Sequence, residues 1–271
     1  MSYTNYHSKY SRNKILLSPG TRVDSLFVPT ATQQHALGRI LEADDGTGRM
    51  WRYCKAGGVA LVQAFMGASE ACAATTVGVD VPQVGYDFAD GDTRFDILLG
   101  TGHAYATHEL IDGMLYVNKS PTEAAKVGGY FIIKDNWIKT DDTVMTIEIA
   151  DQDGLRLTAA LTSDDNELSV IKSPYMDTVI NPTSQAAMVV GVPNVPVPIN
   201  YYYWAQYRGP CCLIVDDGET VVVGQPVGKP GTAGDAGACG VPANDGTNAI
   251  WGTCMVIAAT DEPAIVNLLL P

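Results

Sequence analysis

Short runs of alternating apolar and polar residues recur along the chain and are separated by Gly, Pro and Asp. In residues 144–149, Met145, Ile147 and Ile149 alternate with Val144, Thr146 and Glu148, a period of two that predicts a half-buried β-strand. We expect residues 155–161 to pair with that strand. Other strand signals lie at residues 36–43, 49–54, 113–117, 129–133, 201–208, 211–215, 220–224, 250–257 and 264–270.

The segments between these runs indicate how the strands are connected. The Asp-Asp-Gly-Thr-Gly sequence at 44–48 predicts a hairpin between residues 36–43 and 49–54. Residues 191–198 contain three prolines, which lack a ladder donor, so we expect an extended connector there and not a central strand. Residues 224–246 are rich in Gly, Pro and Ala and predict a long surface loop.

Helical patterns are scarce in this sequence. Residues 58–74 resemble a helix, but Gly57, Gly58 and Gly67 oppose a long one, and residues 122–126 suggest a single turn. Many short strands at this spacing favour a sandwich or barrel over βαβ units. We therefore expect an all-β fold with little helix: an extended N-terminal arm over residues 1–25, an N-terminal β subdomain over 26–85, and a C-terminal β-sandwich or barrel region over 86–271.

Composition narrows the class of protein further. Only 17% of the 271 residues are charged, which excludes a coiled coil or a charged helical bundle. No run of 18 apolar residues predicts a membrane-spanning helix, and the polar first residues do not predict a secretory signal. Six cysteines are too few for a disulfide scaffold, so we expect reduced, mostly buried thiols made in a cytoplasm.

Charge is distributed unevenly along the chain. The net charge is −13, which disfavours nucleic acids and anionic membranes as partners. The first 23 residues contain no acid, whereas the remainder carries a net charge of −17. This N-terminal segment predicts an interaction arm that reaches a neighbouring copy or another protein. The alternatives are an intramolecular clasp onto the acidic remainder of the chain and a frayed, solvated terminus. Its interface candidates are Tyr3, Tyr6, Lys9, Tyr10, Arg12, Lys14 and Arg22.

No pattern in the sequence carries a strong catalytic, cofactor or metal signal. His103 and His108 are five residues apart, which fits neither a helical nor a strand pair of zinc ligands. The acidic segments at 87–96 and 151–154 miss the calcium-loop spacing and read as turns. The acidic pairs at 141–142, 164–165 and 216–217 also read as solvated turns. We expect no enzyme activity and no cofactor.

The densest aromatic run lies near residue 205 and is the second candidate interface. We weigh two readings of it: a stacking platform for sugars or a partner, or a strand with one face in the core and the other in an interface, the reading we favour. The run consists of Tyr201, Tyr202, Tyr203, Trp204 and Tyr207. Together with the apolar C-terminus at 268–271, it predicts a homotrimer or homodimer.

Several segments carry a resemblance to a known class of proteins. They are LGRILEADDG (37–46) with RYCKAGGVAL (52–61), GMLYVN (113–118) with GY (129–130), and YWAQYRGPC (203–211), DDGETVVVG (216–224) and IVNLLL (265–270). This pattern, spread over residues 36–271, resembles the β-rich virion structural proteins of tailed bacteriophages. The chain departs from the pattern at Cys54 and Cys211, where apolar residues are expected, and in its basic arm.

The resemblance implies a function for the chain. It implies a capsid decoration (cement) protein that binds the outer surface of the head and stabilises the major capsid protein lattice, assembled in the host cytoplasm. It implies no functional residues, because the pattern marks fold positions. The alternative from another class is a receptor- or carbohydrate-binding β module of the virion, using residues 201–207 and 224–246; a hydrolase is a third reading.

Overall fold

The structure is a computed structural model that describes residues 15–17, 26–43, 45–70, 81–82, 91–99, 105–119, 130–139, 143–150, 167–183, 187–230, 235–242 and 249–271. Within these residues it contains strands and turns and no helix, which confirms the all-β prediction. Also within them, no helix is long and apolar enough to cross a membrane. The strands are β1 (Ile15–Leu17), β2 (Ile40–Ala43), β3 (Met50–Lys55), β4 (Gly67–Ala68), β5 (Val81–Pro82), β6 (Arg94–Leu98), β7 (Met114–Lys119), β8 (Tyr130–Ile138), β9 (Val144–Ile149), β10 (Glu167–Ile171), β11 (Val179–Ile180), β12 (Val189–Pro193), β13 (Tyr202–Ile214), β14 (Pro226–Gly228), β15 (Ile250–Val256) and β16 (Pro263–Leu269).

The chain forms two compact units. Unit 1 comprises residues 1–71 and 174–271, and unit 2 comprises the contiguous residues 72–173. These boundaries differ from the predicted division at residues 85 and 86, because unit 2 is inserted into unit 1 and does not follow it. The chain leaves unit 1 after β4 and re-enters before β11, and these two strands are paired with each other.

Unit 1 is organised around β13, a strand of 13 residues. Its first half pairs antiparallel with β3, from Tyr202 opposite Lys55 to Arg208 opposite Met50. Its second half pairs antiparallel with β16, ending with Ile214 opposite Pro263. Strand β12 also pairs with β13, and β15 and β14 extend the sheet beyond β16. The sequence predicted two strands here, at 201–208 and 211–215, whereas the structure has one.

A glycine allows β13 to stay continuous where it changes partner. Gly209 has a φ of +81°, and a Cβ placed on it would lie 2.9 Å from both the Cα and the backbone N of Arg49. Residues other than glycine rarely adopt this backbone conformation. The neighbouring Arg49 atoms belong to the backbone, so they cannot rotate away as a side chain could. The Gly-Pro sequence at 209–210 therefore marks a bend inside a strand and not its end.

Several local predictions for unit 1 can be compared with the structure. The hairpin is confirmed, since β2 and β3 are antiparallel neighbours. The connector prediction for residues 191–198 was wrong at its start, because β12 lies between β13 and β4 and reaches Pro193 only where pairing ends. Residues 220–224 form no strand. The loop predicted at 224–246 contains β14, and its Cys239 is buried.

Unit 2 contains a six-stranded sheet in the order β10-β7-β8-β9-β6-β5, antiparallel throughout. Its core includes Ile97, Leu115, Ile133 and Ile147. Strand β9 was predicted to be half-buried, yet five of its six residues are buried because β8 and β6 flank it and both of its faces are covered. Residues 122–126 and the 155–161 pairing lie outside the described residues.

The bend in β13 can be tested by adding a single methyl group. We expect Gly209→Ala to lower the free energy of unfolding by about 1–2 kcal/mol, because alanine disfavours a left-handed backbone. The clash of the added methyl group with the Arg49 backbone should lower it further. Gly46→Ala is the matched control, because Gly46 has a φ of +73° and no atom within 4 Å of the added Cβ. Urea unfolding should therefore show a larger loss for Gly209→Ala; equal losses would contradict the close approach.

Candidate functional site

The predicted N-terminal arm is described only in part. Ile15–Leu17 forms β1, which pairs in parallel with β2 of the same chain, Ile15 lying opposite Leu41. Part of the arm is thus an edge strand of unit 1. The seven interface candidates of the arm lie outside the described residues: Tyr3, Tyr6, Lys9, Tyr10, Arg12, Lys14 and Arg22.

The aromatic run on β13 lies mostly in the core. Tyr203, Trp204 and Tyr207 are buried, and Tyr201 and Tyr202 are half-buried. Alternate side chains enter different clusters, with Tyr203 packed in the group of Cys54 and Trp204 in that of Trp51. Both faces of the first half of β13 are therefore covered within one chain. The structure places Tyr203, Trp204 and Tyr207 in the core, so their side chains are unavailable to a partner or a sugar.

Polar atoms among these aromatics have partners inside unit 1. The Arg52 guanidinium lies 4.3 Å from the Tyr207 ring centre and 5.3 Å from that of Tyr175, and its Nη1 donates to the Tyr175 hydroxyl at 2.5 Å. Thr178 Oγ1 donates to the Lys55 carbonyl, so the Tyr203 hydroxyl, 3.0 Å from that Oγ1, is the donor between the two. Burial raises the pKa of Tyr203 well above its ordinary value. These groups stabilise the core.

His35 packs against the same aromatic core. Its ring centre lies 5.1 Å from that of Tyr53 and 5.2 Å from that of Trp204. Burial, and to a lesser degree the charge of Arg39, lowers the pKa of His35 below its ordinary value of 6.5. The folded chain therefore binds a proton at this site less readily than the unfolded chain.

The His35 environment predicts a pH dependence of stability. Because the folded pKa is the lower one, the stabilisation is fully present above about pH 6.5 and is lost as the pH falls toward the folded value. We expect the free energy of unfolding to fall between pH 7.5 and 5.5 in the natural chain. His35→Phe, which keeps a ring but cannot titrate, should fall less; identical slopes in urea titrations would contradict this prediction.

A histidine–carboxylate pair lies in unit 2. His108 Nδ1 is 2.7 Å from Oδ1 of the buried Asp135. Next to it, Asn136 accepts from Leu110 N at 2.8 Å and donates to the Ala106 carbonyl at 2.9 Å, which holds residues 105–113 on β8. The hydrogen bonds of this polar group thus fix a loop. Within the described ranges no three His, Cys, Asp or Glu residues are placed to hold a metal ion; His103 and Asp87 lie outside them.

A narrow cleft in unit 1 contains a buried lysine. Asn181, Lys229 and Asp235 line it, and Lys229 Nζ donates to the Pro182 carbonyl. Burial lowers the pKa of Lys229. The cleft encloses about 180 Å³, including its open mouth, which is below the 300–1,000 Å³ of usual ligand pockets. The role of Lys229 here is structural: its hydrogen bond joins the segment at residue 229 to that at Pro182.

Five cysteines lie in the described part of the chain, and none forms a disulfide there. Cys54, Cys211, Cys239 and Cys254 are buried, as expected for small apolar side chains, whereas Cys212 is exposed. Burial raises the pKa of Cys211 and that of Cys239 to about 12. The thiolate is the reactive form, and burial disfavours it. We therefore expect the exposed Cys212 to react with thiol reagents and the four buried cysteines not to react.

Exposed apolar side chains gather at the two ends of β13. Near its start, Leu61 bridges Val197 and Asn200 N donates to the Gly57 carbonyl, while Thr30 bridges Tyr202. We call the exposed apolar residues on these segments the start patch: Phe27, Val28, Val59, Val62 and Ile199. Single exposed apolar residues are normal, but a cluster is typical of a partner surface.

The second apolar surface is the outer face of the second half of β13 and its neighbours. Cys212 lies opposite Ile265 of β16, which in turn lies opposite Val256 of β15, so one cross-strand row carries three outward side chains. We call this surface the outer face; it also includes the neighbouring Ile214, which is half-buried, and the exposed Leu269, which lies opposite Arg208 nearer the middle of β13. Of the predicted C-terminal patch, Leu269 is 56% exposed, whereas Leu268 and Leu270 are buried. Sequence alternation gives β16 an outward side, but only strand register shows that the row is apolar.

No protein-family model, curated protein or solved structure matches the chain. Functional assignment therefore depends on the residues and their geometry.

The contrast among the thiols can be measured directly. In a Cys72→Ser background, which removes the one cysteine outside the described residues, we expect one thiol per chain to react with an aromatic disulfide reagent under native conditions. Adding Cys212→Ser should abolish this reaction, and all remaining thiols should react after unfolding. Native reaction of more than one thiol would contradict the burial of the other four.

Proposed function

We propose that the chain is a capsid decoration (cement) protein of a tailed bacteriophage. In this role it binds the outer surface of the head and stabilises the lattice of the major capsid protein. The proposal rests on the resemblance over residues 36–271, and one structural observation supports it most: the exposed Phe27 and Val28 of the start patch follow the predicted arm, residues 1–25, within three residues along the chain. An apolar surface beside a charged, aromatic-rich segment is typical of a protein interface.

The division of charge fits a crowded particle surface. A net charge of −13 favours solubility at the high local copy number of a particle surface. The four basic residues of the first 23 would then approach an acidic surface of the capsid protein and steer docking. Tyr3, Tyr6 and Tyr10 would supply buried area in that contact. We propose that the major capsid protein is the partner of this end of the molecule.

The all-β architecture fits a cement role mechanically. Strand β13 joins three neighbouring strands, so a load applied at the start patch spreads over a whole ladder of hydrogen bonds. Within unit 2, the buried Asn136 fixes a loop to strand β8, and within unit 1 the ladder of β13 fixes its three neighbours. A rigid body loses little conformational entropy when it docks. The proposed chain thus acts as a preformed clamp and not as a catalyst.

The decisive measurement is the presence of the chain on particles. Mass spectrometry of purified virions of the phage that encodes it should detect the chain, and the purified protein should sediment with empty expanded heads. Absence from the particles and failure to bind heads would overturn the proposal. Retention on a glycan or host-cell surface, together with no binding to heads, would favour the receptor- or carbohydrate-binding module instead.

Truncation of the arm tests its share of capsid binding. We expect deletion of residues 1–14, which spares β1, to leave unit 1 folded and to weaken head binding by at least about tenfold, since loss of a single aromatic hot spot costs about 2 kcal/mol or more. The loss should persist at raised salt if tyrosine burial dominates, and shrink if exposed charges dominate.

Two variants with matched chemistry serve as controls for that measurement. Val59→Asp in the start patch should also weaken head binding, whereas Val256→Asp on the outer face should weaken it much less, although both valines are similarly exposed, at 58% and 53%. Equal binding of heads by the truncated and full chains across salt would show that residues 1–14 have no part in docking.

A further inference from the structure

We infer that the outer face is the contact surface for a second copy of this chain, packed face to face about a two-fold axis that runs along the row Cys212–Ile265–Val256. The inference does not depend on capsid binding. It concerns the end of β13 opposite the start patch, ten residues and roughly 30 Å further along the strand.

The outer face has the composition of an interface and not that of a solvated sheet. In an antiparallel sheet with one face in water, the side chains alternate along each strand, apolar toward the core and polar toward the solvent. Here the central row is Cys, Ile and Val, and Ile214 and Pro263 form an apolar pair on one side of it. On its other side Pro210 lies opposite Asn267, which lies opposite Thr253, so the polar side chains of the face are at its margin. At the edge of the face, Gly224 N donates to the Cys254 carbonyl, which brings the exposed valines 222 and 223 beside Met255 and Val256.

The charges at the two ends of the outer face favour a second copy of this chain as its partner. The exposed Arg208 lies on β13, four residues before Cys212, and the exposed Asp217 lies in the turn that follows β13, three residues beyond the end of the strand. Asp261, also exposed, lies four residues before Ile265 at that same acidic end. A rotation of 180° about the central row places Arg208 of each copy over the acidic end of the other. Both pairs form at once, as an isologous contact requires.

The opposite registers are disfavoured by the same charges. If the β13 strands of the two copies ran in the same direction, Asp217 would lie over Asp217 and Arg208 over Arg208. Each chain already carries a net charge of −13, so association needs a register that pairs unlike charges. The two-fold axis along the row is the arrangement that does so.

The size of the face predicts a weak complex. Three strands about 4.8 Å apart and seven residues of about 3.3 Å each cover roughly 330 Å² per copy before the flanking valines are added. Over two copies this is roughly 660 Å², below the roughly 1,200 Å² of stable complexes, so the contact belongs with weak, transient ones. The dimer should therefore be concentration-dependent in solution and should strengthen where copies are crowded together.

Crosslinking through Cys212 is the direct test. Facing sheets lie about 10 Å apart, which suits a short bismaleimide better than a disulfide. In the full chain with Cys72→Ser, we expect a covalent dimer whose yield rises with protein concentration and disappears with added Cys212→Ser. Sedimentation equilibrium of the chain without crosslinker should show the same monomer–dimer equilibrium.

Substitutions on the row separate this arrangement from non-specific contact. Val256→Asp should weaken dimerisation at least about tenfold, because it brings two carboxylates together at the axis. Val59→Asp, a matched exposed Val→Asp change in the start patch, should leave dimerisation unchanged and instead affect head binding. Failure of head binding with normal dimerisation would thus overturn the proposed function and leave this inference standing.

Charge reversal tests the register itself. Arg208→Glu alone should weaken dimerisation, and so should the double change Asp217→Arg with Asp261→Arg, whereas the triple variant should recover it. Absence of recovery would overturn the two-fold arrangement. A chain that stays monomeric at all concentrations would overturn the inference; in that case, faster Cys212 labelling after deletion of residues 1–14 would show that the arm covers this face.

Discussion

The hydrogen-bond ladder of β13 is the interaction on which the rest of unit 1 depends. One strand joins β3, from the first quarter of the chain, to β16 at its C-terminus, and also carries β12. Its first half is covered on both faces, and its second half presents one face outward. The continuity of this strand through Gly209 therefore sets both where the core lies and where the two exposed apolar surfaces lie.

Local sequence patterns predict the strands well and their neighbours poorly. The hairpin, β9, β15 and β16 follow from alternation and turn residues, which act over a few positions. The Gly-Pro at 209–210 was read as a strand end because its tolerance for a bend depends on the Arg49 backbone, 160 residues earlier. Likewise, β12 tolerates Pro193 because pairing stops there, which only the three-dimensional ladder determines.

Sequence also predicts poorly which of the candidate interface residues are buried. The tyrosines of β13 look like an interface in sequence, yet Arg52 and Tyr175 from distant segments enclose Tyr207 within the chain. Conversely, Val256, Ile265 and Cys212 are unremarkable in sequence and become a continuous apolar row only when three strands are placed in register. Register is a long-range property, so composition predicts that a partner surface exists more readily than which residues form it.

The insertion of unit 2 has a consequence for the order of folding during synthesis. Strand β3 emerges from the ribosome about 150 residues before β13, its central partner, and β16 follows at the very end. Unit 2 is contiguous over residues 72–173, so its own sheet can close while the first 71 residues wait without their main partner. Unit 1 can complete its ladder only after almost the entire chain has been translated. Until then the β2–β3 hairpin has one unpaired edge, that of β3, and such an edge can pair with another chain.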